Sequence, residues 1–102
     1  MTLLTAANRT ALPPLRSTET MIDPFVVVKF FAPIGAATWY AMEFDGNDTF
    51  YGLCDLGLGF PELGYFSLHA LTHAVLPLGL KIERDRAFTP QRLSNVFAAS
   101  QA

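Results

Sequence analysis

The sequence predicts an α+β fold: an antiparallel β-meander of four to five strands, with an N-terminal helix, a central helix and a C-terminal helix packed on it. Three observations predict it. Residues 25–55 hold three runs of β-branched and aromatic residues, and the turns between them are short enough to make neighbours antiparallel. Helix-cap signals fall outside that block, at Thr5, Ser67 and Thr89-Pro90. The 102 residues suffice for one domain and one modest core, but not for a doubly wound nucleotide-binding fold or a two-domain enzyme.

Residues 1–24 read as a helix and a linker. Thr5 caps a helix over Ala6–Leu12, and Pro13-Pro14 ends it because neither proline can donate to a helix. Ser17, Thr18 and Asp23-Pro24 are turn signals in the extended stretch that follows. Residues 25–55 form the meander. Phe25–Ala32 is its clearest strand, apolar on both faces and therefore central. Pro33-Ile34-Gly35 turns the chain into Ala37–Phe44. Asp45-Gly46-Asn47-Asp48, the strongest turn signal, leads into Thr49–Asp55.

Residues 56–88 contain a bend, a helix and an edge strand. Gly57, Gly59 and Pro61 interrupt regular structure, and Leu63–Phe66 is a short fourth strand. Ser67 caps a helix over Leu68–Val75, which Pro77 and Gly79 stop. Lys81–Phe88 is an edge strand protected by its charges. Residues 89–102 close the chain with Thr89 as N-cap, Pro90 as first helical residue and a helix over Gln91–Ala99 that packs Leu93, Val96 and Phe97.

Apolar residues make up 51% and charged residues 16%, where about 25% charge is ordinary, so disorder is excluded. Cys54 is the one cysteine, which forbids an internal disulfide and fits a reducing cytoplasm. No apolar run approaches the ~18 residues of a transmembrane helix, and Met1–Thr5 lacks the features of a signal peptide. The expectation is a cytoplasmic protein with no membrane partner. The net charge of −2 is unevenly laid out: between Lys29 and Lys81 there is no Lys or Arg, only Glu43, Asp45, Asp48, Asp55 and Glu62. That acidic middle disfavours phosphate, so direct nucleic-acid binding is not expected there.

Several blocks occur in a familiar order: Leu12-Pro13-Pro14-Leu15, Ser17-Thr18-Glu19, Asp23-Pro24, Val28-Lys29-Phe30-Phe31, Trp39-Tyr40-Ala41 and Glu43-Phe44-Asp45. Glu62-Leu63-Gly64-Tyr65-Phe66-Ser67-Leu68, Pro77-Leu78-Gly79-Leu80 and Ile82-Glu83-Arg84-Asp85 follow. On these blocks residues 12–88 resemble the small bacterial family called domain of unknown function 2958. The resemblance implies a stand-alone α+β protein of plasmids, integrative elements and phages, with no established activity and no catalytic residues to carry over. Arg16 departs from the pattern, where an aromatic follows Pro-Pro-Leu, and the tail after Phe88 is not distinctive.

The chemistry-bearing residues are sparse. His69 and His73 are four apart and share a helix face, a spacing that can chelate a metal. Position 70 is Ala rather than the Glu of a metalloprotease helix, and a third zinc ligand could come from Cys54 or a carboxylate of the acidic middle only if the fold brought it near, so no metal or cofactor is expected. Cys54 lies between Leu53 and Asp55, an environment that raises a thiol pKa and suits packing rather than nucleophilic attack. Gly57-Leu58-Gly59 lacks the residues of a phosphate cradle. Glu43, Asp45 and Asp48 cluster at the hairpin without the alternation of a calcium loop, as a solvated turn would. Most aromatics fall between Phe25 and Phe66 and read as core; Trp39, Tyr40, Tyr51 and Tyr65 carry polar tips that suit a surface. Strand alternation puts Glu83 and Asp85 on one face and Arg84 and Arg86 on the other, ready to pair with the acidic hairpin or with a partner.

The small size, sparse chemistry and apolar surplus favour a non-enzymatic protein-binding or regulatory accessory protein, and the family resemblance implies that it belongs to a mobile genetic element. An anti-defence inhibitor, anti-CRISPR or anti-restriction, is its specific form, with a host defence complex as partner. The partner surface is drawn from Trp39, Tyr40, Glu43, Asp45, Asp48, Tyr65, Arg84 and Arg86, and a second copy of the chain is a further candidate to cover it. The alternatives are a small metal-dependent enzyme using His69 and His73, and a weak nucleic-acid binder through Arg84, Arg86 and Arg92.

Overall fold

A five-stranded antiparallel sheet frames the structure, a computed structural model that describes residues 2–101. The helices are α1 (Ala6–Ala11), α2 (Leu68–His73) and α3 (Leu93–Gln101). The strands are β1 (Phe25–Val26), β2 (Val28–Phe31), β3 (Thr38–Phe44), β4 (Thr49–Asp55), β5 (Glu62–Ser67), β6 (Glu83–Arg84) and β7 (Gln91–Arg92). The main sheet runs β5-β4-β3-β2-β6, and β1 pairs with β7 in a separate two-stranded ribbon. The α+β meander read from the sequence is the observed fold.

The two faces of this sheet are covered differently. On one face Val28, Phe30, Ala41, Phe44 and Phe50 pack with Leu4 and Leu12, which flank α1, with Leu71 of α2, and with Ile82. Phe50 is the hub: its ring lies 4.5 Å from Phe44, 5.1 Å from Phe66 and 5.5 Å from Phe30. This is the closed face. On the other, Val26, Met42 and Leu53 pack with Val96 of α3, and Tyr40, Tyr51, Phe88 and Leu93 border them. Only part of this second face is covered, and it is called half-open below.

Two backbone irregularities shape the half-open face. The single long strand expected over Phe25–Ala32 breaks at Val27, so Val26 and Val28 enter different cores despite being two apart. A run of β-formers does not reveal such a break; pairing of β1 with β7 imposes it. The second irregularity is a bulge in β3. Ala41 pairs with Gly52, but Glu43 pairs with Tyr51, so Met42 is extra and Glu43 turns to the same face as Tyr40 and Met42. Gly52 permits this close passage: a Cβ there would stand 1.9 Å from the Tyr40 carbonyl oxygen.

Other boundaries shift for identifiable reasons. β5 spans Glu62–Ser67, longer than Leu63–Phe66, because all six residues find partners on β4. The edge strand expected over Lys81–Phe88 shrinks to β6, since a turn closes after it: the Asp85 carboxylate accepts from the Ala87 amide at 2.9 Å. α2 stops at His73, and Ala74 is extended. α3 begins at Leu93 rather than Gln91, because Gln91–Arg92 forms a strand; the local Thr89-Pro90 signal is overridden. α1 follows its reading, with a capping box in which Thr5 and Asn8 each accept from the other's amide at 3.0 Å.

Candidate functional site: a groove over the bulge

The bulge delivers a carboxylate to the half-open face, and the linker folds around it. Glu43 is 3% exposed. Its Oε1 accepts from the Arg16 amide at 2.7 Å, and its Oε2 accepts from the Thr18 amide at 2.9 Å and from the Thr18 hydroxyl. A buried carboxylate is tolerated when hydrogen-bonded in this way. Arg16 adopts φ 71°, a left-handed conformation that costs a non-glycine residue roughly 1–2 kcal/mol. The charge-assisted bond from its amide, of a kind contributing ~1.5–3 kcal/mol, offsets that cost. Turn bonds from Ser17 to Pro14, Glu19 to Arg16 and Met21 to Thr18 complete a wall that stands off the sheet.

The opposite wall is the start of α3. Its cap comes from far away in sequence: Asp23 accepts from the Ser94 hydroxyl at 2.7 Å and from the Ser94 amide at 2.9 Å. These bonds, the hydroxyl's first, hold the Asp23 carboxyl below the usual carboxylate range. The Leu93 amide donates to the Pro24 carbonyl at 2.8 Å. Arg92 donates to the Asp23 carbonyl at 2.9 Å and lies over the Phe25 ring, 4.2 Å from its centre.

Between these walls lies a groove of about 560 Å³. Met42, Glu43, Tyr51, Leu63 and Tyr65 form its floor, and Met21, Ile22 and Leu93 line its sides. Tyr51 and Tyr65 meet at 5.0 Å, and burial pushes the Tyr51 hydroxyl pKa up. Tyr65 remains 65% exposed, and the Ile22 side chain stands in solvent. Arg16 and Glu19 pair at 3.2 Å on the rim. The groove can grip an apolar projection. Its one buried carboxylate is engaged by three donors from the linker.

A family model described as a protein of unknown function (DUF2958) matches residues 3–102. The chain belongs to this family. Comparisons of this DUF2958 chain with curated proteins and with solved structures found no match.

The residues expected to meet a partner do not form one surface. Glu43 and Tyr65 share the groove. Tyr40 lies beside it under α3, 6.2 Å from Phe88 and 5.8 Å from the Lys29 ammonium; burial raises its hydroxyl pKa. Trp39 packs on the closed face. Asp45 and Asp48 build local structure. Asp45 accepts from the amides of Asn47, Asp48 and Thr49, and Asp48 accepts from the His69 amide at 2.7 Å and the Ser67 hydroxyl at 2.8 Å, tying the hairpin to α2. Those bonds hold both carboxyls below the usual range. Arg84 donates to the Leu3 carbonyl at 2.8 Å and, with Lys81 and Arg86, lines a second cleft of about 750 Å³. Of the same charged segment Asp85 pairs with Lys29 at 3.7 Å, and Arg9 reaches the hairpin carbonyl of Gly46 at 3.5 Å.

The His69 and His73 rings lie 4.1 Å apart, tilted by 33°, and His73 Nδ1 donates to the His69 carbonyl at 2.9 Å. Among the described residues no three His, Cys, Asp or Glu side chains are grouped to hold a metal ion. Cys54 sits opposite Trp39, toward the end of β4 away from α2, and burial pushes its thiol pKa up. No described helix is long and apolar enough to cross a membrane. Reading the sequence missed Thr18, Met21, Ile22, Leu63 and Leu93 as groove residues. One signal was present: regular alternation would place Glu43 on the buried face of Ala41, a conflict that a bulge resolves.

Proposed function

We propose that this DUF2958 chain is a non-enzymatic binding protein whose groove over Glu43 seats a partner protein. The observation that carries the reading is a solvent-open groove of mixed lining, with Met21, Ile22, Met42, Leu63 and Leu93 beside polar groups, whose carboxylate is already engaged by Arg16 and Thr18. Strands β3 to β5 and their connections carry Glu43, Asp45, Asp48, Asp55 and Glu62 and no Lys or Arg, and Arg16 on the rim is paired with Glu19, which suits a partner with an apolar ridge and a basic rim. Five carboxylates are few beside DNA, with one charge per ~1.7 Å, so apolar contact supplies the affinity rather than DNA mimicry. The family resemblance points to plasmids, integrative elements and phages. The partner that fits both is a nucleic-acid-binding host defence complex of the CRISPR or restriction type, met in the cytoplasm.

The test is protection. Expressed in strains that each carry one defence system, the protein should restore phage plating or plasmid transfer in at least one. Met21→Asp combined with Ile22→Asp, both exposed groove residues outside the sheet, should abolish that rescue while circular dichroism and Tm stay unchanged. Rescue in no strain, or rescue that survives the double substitution, overturns the reading.

A further inference from the structure

The two edges of the sheet are built differently. β6 is two residues long and flanked by charges from Lys81 to Arg86, a form that discourages pairing. β5 runs for six residues, and β4 is its one strand partner among the described residues. β5 contains no Lys, Arg or Pro, and its register with β4 is unbroken. Its outer N–H and C=O groups fit one kind of occupant, another extended strand. On the half-open face, Leu63 is 48% and Tyr65 65% exposed.

We propose that the occupant is β5 of a second copy, paired antiparallel about a two-fold axis at Gly64, so that two five-stranded sheets become one of ten strands. Such pairing keeps each face on its own side. Leu63 then meets Tyr65 of the second copy, twice, as directly opposed cross-strand pairs. Glu62, the only charge on β5, lies opposite Phe66 of the second copy. The two Glu62 carboxylates are four strand positions apart, about 13 Å, beyond the ~8 Å screening length. Centring the axis one residue later would require pairing through Ser67, whose hydroxyl bonds Asp48 at 2.8 Å and which caps α2. Gly64 is open: a Cβ there would meet nothing within 4 Å. The joined sheet sets the two grooves on one continuous face.

Sedimentation equilibrium over a range of concentrations should give twice the 11.2 kDa of one chain. Leu63→Glu and Tyr65→Lys, each alone, should raise the dimer dissociation constant by about tenfold or more, since each sets like charges near the axis. Combined, they set Glu against Lys at both ends of the axis and should recover most of the loss. A wild-type monomer at all concentrations, or single variants that dimerise normally, overturns the proposal. A double variant no better than the singles overturns the Gly64 register. Should a single variant unfold, hydrogen exchange on the wild type decides: β5 amide protection must rise with protein concentration, and protection independent of concentration overturns the pairing.

Discussion

Phe50 and Leu53 lie three residues apart on β4 and are both fully buried, yet they serve different halves of the molecule. Phe50 points into the closed face, where three other rings surround it. Leu53 points into the half-open face, where α3 covers one part and the groove begins beside it. The closed face is packed from regular alternation and flanking helices. The half-open face departs from alternation twice, at Val27 and at Met42, and those departures keep part of it uncovered. One sheet thus separates a stabilising side from a side available for contact.

This contrast can be broken in steps. Phe50→Ala should cost most, about 3–5 kcal/mol by urea denaturation, because it empties the middle of an aromatic cluster. Leu53→Ala should cost less, near the low end of ~2–5 kcal/mol, since its surroundings can settle toward the groove. Equal losses would mean that the two faces are equally tight. Glu43→Ala should cost about 1–3 kcal/mol by orphaning the Arg16 and Thr18 amides, and limited proteolysis should then cut residues 15–22 faster.

Acid should weaken the clasp between the linker and α3. The Asp23 carboxyl is held below its unfolded value, so its contribution is fully present above the ordinary aspartate pKa of about 3.9 and is lost as pH falls below it. A pH series of Tm should decline less steeply at acid pH in Asp23→Asn, where that carboxyl no longer titrates. The smallest effect belongs to Tyr65→Ala, within about 0.5 kcal/mol of wild type at dilutions where the chain is monomeric, because its ring is largely in solvent in the single chain. A larger loss at that dilution would place Tyr65 in the core.

The closed face was largely legible in the sequence. The meander, its turn at Asp45–Asp48, the Thr5 and Ser67 caps and most aromatic core residues follow from local propensity and spacing. The groove was not. Its walls come from a linker read as extended and from a helix start set by a carboxylate at Asp23, and neither relation leaves a local signature. Tyr65 was found as a surface candidate for its chemistry, while Glu43, read as part of a solvated turn, is buried under the linker, and Trp39, whose polar tip suggested a surface, packs on the closed side. A side chain's type says what it can do; only the register says which face it serves.

The clasp between Asp23 and Ser94 spans 71 positions of chain. Closing so long a loop is slow relative to forming the meander, whose partners are near neighbours. During synthesis the hairpins of residues 25–67 can pair while the chain still grows, but the second wall cannot exist before residue 94 has been made. The groove is therefore timed: a nascent or truncated chain that stops short of that residue presents the sheet with one wall at most, and the groove is complete only once α3 docks.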